Sequence, residues 1–259
     1  MIVMRRVLSV LFWAFFALSG LVCLIIAFTL WIFTTPFDRQ RRINHAFSCR
    51  WAALYARVYP GWTVRVTGQS NILPRRAYVM VANHTSMADI VLLFCLFRQF
   101  KWVSKASVFS YPIFGWNMRM CRYVPLVRGE KGSIETMMQT CADWLRHQMP
   151  IMMFPEGTRS KDGRLKPFKR GAFALAHETQ SDIVPIAIHG GHRLIPKHQT
   201  TFATHADLWV EVLPPIAVEA GMTVEALSEA SREAIRQALA ADPDEPEHAY
   251  STAHEAVHA

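Results

Sequence analysis

The chain has 259 residues, 51% of them apolar and 19% charged, with 28 Lys and Arg against 20 Asp and Glu for a net charge of +8. This composition excludes a disordered or fibrous protein, and the length leaves room for one globular domain plus an apolar appendage but not for two full domains. The basic excess fits a membrane surface, a nucleic acid or phosphorylated substrates. The five cysteines stand at positions 23, 49, 95, 121 and 141, too far apart for a CxxC metal pair or a disulfide framework, and are expected as reduced thiols facing the cytosol.

No charge falls between Arg6 and Asp38, and in residues 7–33 only Ser9, Ser19, Gly20 and Thr29 are not apolar. A helix of that length is about 40 Å long, against the ~30 Å hydrocarbon core of a bilayer. It spans a membrane with tilt, or it breaks at Ser19-Gly20 into two half-helices that dip into one leaflet. The run is too long for a signal peptide and no small-x-small cleavage site follows it. Arg5 and Arg6 precede it, whereas Arg39, Arg41, Arg42, Arg50 and Arg57 follow. The larger basic cluster puts the main domain on the cytoplasmic side, with Trp31 and Trp51 near the interface.

From residue 60 the pattern alternates. Trp62 to Val66 has the period of a half-buried strand. Tyr78–Ala82, Lys101–Ser104, Tyr123–Val127, Ile151–Phe154, Ile183–Ile188 and Leu208–Val212 are further strands. A helix is expected over Ile90–Phe97, and a second places Ile134, Met137, Met138, Cys141, Trp144 and Leu145 on one face. A last helix covers 222–240, with Val224, Leu227, Ile235 and Leu239 on its apolar side. Strands separated by helices indicate an α/β domain with a mixed, largely parallel sheet flanked by helices, where sites gather at strand carboxyl ends. Residues 240–259 carry five acids, two prolines and no Lys or Arg, and read as a solvated, disordered tail. The tail holds His254-Glu255-Ala256-Val257-His258, which fits the HExxH pattern formally but has no room for a third ligand after it.

The strand ending at Ala82 runs into Asn83-His84-Thr85-Ser86-Met87-Ala88-Asp89. On a regular helix, residues five apart lie about 140° from one another, so His84 and Asp89 meet only if His84 sits on the loop and Asp89 in the first helical turn. Ser86-x-x-Asp89 before an apolar run reads as a capping-box-like helix start and supports that arrangement. Asp89 then orients an imidazole base, or else it only caps the helix while His84 decorates the turn. The spacing Asn83-His84-x4-Asp89 resembles the NHx4D motif of the glycerolipid acyltransferases, which comprise the lysophosphatidic acid acyltransferases and their relatives. Lys105, Pro112, Gly115 and the strand Tyr123–Val127 ending in Arg128 are similar to that family's second block, with Cys121 to Val127 departing somewhat from its usual form. Phe154-Pro155-Glu156-Gly157-Thr158-Arg159-Ser160 matches its FPEGTRS block residue for residue. Residues 155–171 add Lys166, Lys169 and Arg170 to an anion-binding surface, with six basic and two acidic side chains in all. Val184-Pro185-Ile186 resembles its V-P-I block, where a proline marks an edge or an irregular site. Ile195-Pro196-Lys197 resembles the family more loosely. The likeness runs from Trp62 to Val218.

That resemblance implies transfer of a fatty acyl group from acyl-CoA or acyl carrier protein to the sn-2 hydroxyl of 1-acyl-sn-glycerol-3-phosphate, at a bacterial inner membrane. His84 would be the base and Asp89 its orienting partner. Lys105, Arg128, Gly157, Thr158 and Arg159 would hold the phosphate, and Glu156 would accept from a glycerol hydroxyl or hold Arg159. Backbone N–H groups near the NHx4D turn would stabilise the oxyanion. No Gly-x-Ser-x-Gly elbow occurs, so direct transfer is expected, with no metal, no cofactor and no nucleic-acid partner. The chain divides accordingly into a membrane anchor (1–42), an α/β acyltransferase domain (43–239) and the acidic tail (240–259). Two other readings stand beside this one: an acyltransferase for another lysolipid such as a lyso-ornithine lipid, and a non-enzymatic basic binder of membranes or nucleic acid.

Overall fold

The computed structural model of the chain describes residues 2–194 and 202–245; the HExxH segment and Ile195-Pro196-Lys197 lie outside them. In chain order the elements are α1 (Ile2–Thr34), α2 (Arg42–Val58), β1 (Trp62–Thr67), β2 (Val79–Ala82), α3 (Ala88–Phe94), β3 (Lys101–Lys105), α4 (Phe114–Met120), β4 (Val124–Leu126), α5 (Lys131–Arg146), β5 (Ile151–Met153), α6 (Gly171–Thr179), β6 (Ile183–His189), α7 (Gly191–Leu194), β7 (Ala206–Val212) and α8 (Val224–Ala240). The seven expected strands are all present. The α3 helix starts two residues earlier and ends three earlier than the expected Ile90–Phe97.

The strands form one sheet in the order β1-β7-β6-β2-β5-β3-β4. From β6 to β4 neighbours run parallel, whereas β7 is antiparallel to β6 and carries β1 parallel to itself. Side chains of β2 alternate between the two faces, as a pleated strand requires. Met80 and Ala82 enter a core with Leu92, Leu93, Phe100 and Trp102. Val79 and Val81 enter the opposite one with Met137, Cys141, Phe173, Leu227 and Ile235. Helices α5, α6 and α8 therefore cover one face, and α3 backed by α2 covers the other. On α5 the apolar stripe buries Met137, Cys141 and Leu145 as expected, but Ile134 is exposed.

Pro185 lies in the middle of the sheet, so the edge alternative is excluded and the irregular one holds. Its carbonyl accepts from Leu213 N–H at 3.0 Å. The partner segment gains one residue there, since Ile186 faces Val212 while Ile183 faces Ile216. Such a bulge absorbs the hydrogen bond that proline cannot donate.

The helix α1 is continuous for 33 residues, about 50 Å. Ser19-Gly20 does not break it. The Ser19 hydroxyl donates to Phe15 O at 2.5 Å and lies 3.2 Å from Tyr55 OH. At Gly20 a Cβ would already lie 3.6 Å from Ile113 and from Tyr55 OH. The small pair serves a helix crossing, where α1 lies against α2 and α4. One stripe of α1, with Phe12, Leu24 and Ala27, is buried on that side. The opposite stripe leaves Val10, Leu18, Leu21, Ile25, Phe28 and Phe33 exposed. Residues Arg6–Thr34 are long and apolar enough to cross a membrane. Trp51, expected at an interface, is instead buried, and its indole N–H donates to Tyr55 OH at 2.7 Å. Buried Lys101 ties the α1–α2 link to the sheet by donating to Gln40 O and Cys121 O at 2.7 Å each. All five cysteines are free thiols.

The chain beyond α8 departs from the expected solvated tail as far as it is described. Glu245 is 4% exposed, and its carboxylate receives the Gly190 N–H at 2.5 Å.

Candidate active site

Because β2, β5, β3 and β4 are parallel neighbours, their carboxyl ends open along one edge of the sheet. His84 follows β2, Phe154 to Arg159 follow β5, Lys105 closes β3, and Arg128 lies two residues past β4. Sequence positions 84, 105, 128 and 156–159 are thereby collected on one rim by topology alone.

Of the two alternatives for His84 and Asp89, the paired one forms, with His84 on the loop and Asp89 in the first helical turn. His84 Nδ1 is 2.9 Å from Asp89 Oδ2. The same oxygen accepts the N–H groups of Thr85 and Ser86 at 2.7 and 2.8 Å. Asp89 is fully buried in the first turn of α3, while His84 sits on the loop with its side chain 13% exposed. Only half of the anticipated capping box exists, since the Ser86 hydroxyl accepts from Ala88 N rather than from Asp89 N. Asp89 thus fixes both the turn and the tautomer, which places the proton on Nδ1 and leaves Nε2 with its lone pair. His84 Nε2 makes no hydrogen bond among the described residues. The His84 ring lies flat on Phe154, with centroids 3.9 Å apart and planes at 11°. That stacking is not legible in the sequence.

Asn83 carries no role expected from the sequence beyond its place in the motif. Its side chain pairs with the main chain of Ile188, donating to the carbonyl at 2.9 Å and accepting the N–H at 2.8 Å. It therefore joins the loop after β2 to β6.

Glu156 differs from expectation. It is 2% exposed, so it neither faces an acceptor hydroxyl nor holds Arg159. Its Oε1 accepts the His84 N–H at 2.6 Å, and its Oε2 accepts the Lys166 N–H at 3.3 Å. Burial pushes its carboxyl up to about 7, against the opposing pull of these two N–H bonds. Ser160 N–H closes the same loop by donating to His84 O at 2.8 Å. The N–H groups of residues 84–86 are consequently all engaged, by Glu156 and by Asp89. These three are therefore not the oxyanion donors expected near this turn.

The exposed members of the rim are Thr158, Arg159, Lys105 and Arg128. None of the three cations makes an ion pair among the described residues, so their charge is presented to solvent. Gly157 has φ +71°, a backbone region that side chains rarely adopt, and Lys169 packs over it with Cε 2.9 Å from where a Cβ would be. At Gly115 a Cβ would fall 2.4 Å from Phe109 O, so the glycine is required for the loop between β3 and α4 to close. The donor set that a cation would need lies elsewhere: His189, Asp242 and Glu245 bring ligand atoms within 4.8 Å of one another.

This constellation can be compared with known proteins. A family model described as Acyltransferase matches residues 63–189. A Chlamydomonas reinhardtii protein named as a 1-acyl-sn-glycerol-3-phosphate acyltransferase is 32% identical over 243 residues, covering 92% of this chain and 71% of that one. The chain belongs to the acyltransferase family. Chloroplastic proteins of the same activity name from Brassica napus and Arabidopsis thaliana are 36% and 37% identical over 200 and 186 residues. This family member spans only 58% and 52% of their lengths. In fold it is similar to a crystal structure from Thermotoga maritima, named as the 1-acyl-sn-glycerophosphate acyltransferase PlsC. The TM-score is 0.73 at 23% identity, over 90% of this chain and 95% of that one.

Proposed function

We propose that the protein acylates the sn-2 hydroxyl of 1-acyl-sn-glycerol-3-phosphate from acyl-CoA or acyl carrier protein, giving phosphatidic acid for phospholipid synthesis. The observation that carries this reading is the imidazole of His84, held at Nδ1 by Asp89 and laid on Phe154, on a rim that also presents Arg159, Lys105 and Arg128. Relatives with this activity name support the acceptor.

In the proposed reaction the acceptor hydroxyl oxygen attacks the thioester carbonyl carbon while His84 Nε2 takes its proton. The tetrahedral intermediate collapses with cleavage of the C–S bond, and the proton passes from His84 to the departing thiolate. Asp89 stabilises the imidazolium between those two events. Arg159, with Lys105 and Arg128, binds the phosphate and so holds the hydroxyl in line. The acyl group moves directly, with no acyl-enzyme and no metal or other cofactor. The exposed apolar stripe of α1 seats the protein on a bacterial inner membrane with its α/β domain on the cytoplasmic side, where both amphiphilic substrates partition.

The test is a purified-protein assay in mixed micelles, offering acyl-CoA or acyl carrier protein to a panel of lysolipids and following thiol release and lipid product. Lysophosphatidate is expected as the preferred acceptor, and His84→Ala is expected to abolish transfer while remaining folded and micelle-bound. Faster turnover of a lyso-ornithine lipid, or near-normal turnover by His84→Ala, overturns the assignment.

A further inference from the structure

We infer that the segment following α8 is a clasp that holds the 188–192 turn against the His84–Asp89 pair, with Gly191 and Glu245 as positioning residues. Its effect on turnover rests on the acyltransferase reading; the geometry does not. The turn is joined to the site at two points. Ile188 exchanges two hydrogen bonds with Asn83, the residue before His84. Three residues on, Gly191 lies directly on the pair, where a Cβ would fall 2.4 Å from Asp89 Oδ1 and 2.9 Å from Thr85 Oγ1. Asp89 cannot swing aside to make room, because its other oxygen is bound by His84, Thr85 and Ser86 at once. The two glycines of this turn have different reasons. Gly190 is needed for its φ of +77° and for its approach to the Asp207 carbonyl, and Gly191 for its approach to the Asp89 carboxylate.

A Gly-Gly turn is intrinsically loose, and its restraint comes from the other side. Glu245 Oε1 accepts the Gly190 N–H at 2.5 Å, and Oε2 lies 3.5 Å from His192 Nδ1. One turn earlier in the same segment, Asp242 Oδ2 lies 3.2 Å from His189 Nδ1. His189 is itself stacked on Trp209 at 4.5 Å and lies 3.6 Å from Glu211. Burying Glu245 from an otherwise acidic, polar segment costs desolvation, which its hydrogen bond from Gly190 offsets in part. The turn is thus held by hydrogen bonds to Asn83 on one side and Glu245 on the other, with Gly191 packed on Thr85 and Asp89 and Asp242 lying beside His189.

The test combines hydrogen–deuterium exchange with steady-state kinetics on the full chain in micelles, for the wild type, Glu245→Ala, Glu245→Gln and Gly191→Ala. Glu245→Ala is expected to speed exchange severalfold in peptides covering 83–90 and 186–194 and to leave α5 and β1 unchanged. It lowers kcat about tenfold with both KM values within about twofold, as a displaced catalytic group does. Glu245→Gln keeps an acceptor for Gly190 and restores most of both readouts. Gly191→Ala, which pushes on Asp89 directly, lowers kcat further. Unchanged exchange over 83–90 in Glu245→Ala overturns the clasp, as does a rise spread evenly through α5 and β1, which would make Glu245 a general stability residue. A wild type that acylates no lysophosphatidate defeats the functional reading alone, because the exchange result still decides the clasp.

Discussion

Replacing Glu156 with glutamine isolates the consequence of burying a carboxyl behind the His84 loop. Its pKa rises from an ordinary 4.5 to about 7, chiefly through burial. In the unfolded chain it keeps the ordinary value, so between these two pH values the folded state holds a proton that the unfolded state has lost. The folded state is favoured fully below pH 4.5, and that advantage is lost as pH rises through 7. Each tenfold change in proton affinity is worth about 1.4 kcal/mol, so the loss between pH 5 and pH 8 is roughly 2–3 kcal/mol. For a chain of this size that is roughly 5–10 °C in Tm. Glutamine does not titrate. Its carbonyl still accepts from His84 N–H, while its amide opposes Lys166 N–H at a cost that is the same at every pH. Thermal melts of micelle-solubilised wild type and Glu156→Gln should therefore converge or cross as pH rises from 5 to 8, with the wild type losing ground by that amount. A difference curve flat to within about 2 °C refutes the claim that burial governs this carboxyl.

On the proposed mechanism, Asp89→Asn removes the charge assigned to steady the imidazolium while leaving an oxygen for Thr85 and Ser86, so kcat should fall roughly 10²–10⁴-fold with little change in KM; a fall of less than about fivefold counts against His84 as the base. Arg159→Ala should raise KM for lysophosphatidate by roughly 10–100-fold, the worth of one charge-assisted bond. If KM for the acyl donor rises instead, the guanidinium serves the phosphates of CoA. Gly115→Ala puts a Cβ 2.4 Å from the Phe109 carbonyl, a backbone atom that cannot step aside. It should lower Tm by several degrees, about 1–3 kcal/mol, and an unchanged Tm would show that the loop relaxes freely.

What the sequence made legible was local. Strands appear as short apolar runs, and α5 and α8 as apolar residues at spacings of three and four. The helix α2 escaped notice because part of what it buries is polar: Asn44, His45 and Ser48 point inward and are bonded there, to Ala27 O, to Tyr123 and Arg98, and to Asn44 O. The short α4 and α6 offer too few turns for a period to emerge. Of the two alternatives for α1 the break at Ser19-Gly20 does not occur, since a Ser-Gly pair weakens a helix in isolation but serves one that must pack closely against a neighbour.

The same division between local and distant partners governs the site. His84 and Asp89 are five residues apart, so their spacing and the helix-start pattern made the pair one of two local alternatives, and the structure holds it. Glu156 meets His84 across 72 positions and Asn83 meets Ile188 across 105. In both cases the partner is main chain, which has no sequence signature. Three of the motif's polar side chains, Asn83, Asp89 and Glu156, are thereby committed largely to fixing the backbone of one turn. Those left facing outward are the Nε2 edge of His84 and the cations Lys105, Arg128 and Arg159. Of Asn83, Asp89 and Glu156, only Glu156 reads from its motif as a substrate contact, and its burial assigns it to the turn instead. Preorganising a base needs a rigid turn before it needs a contact, and a buried carboxyl with a pKa of about 7 is tolerated because it holds that turn.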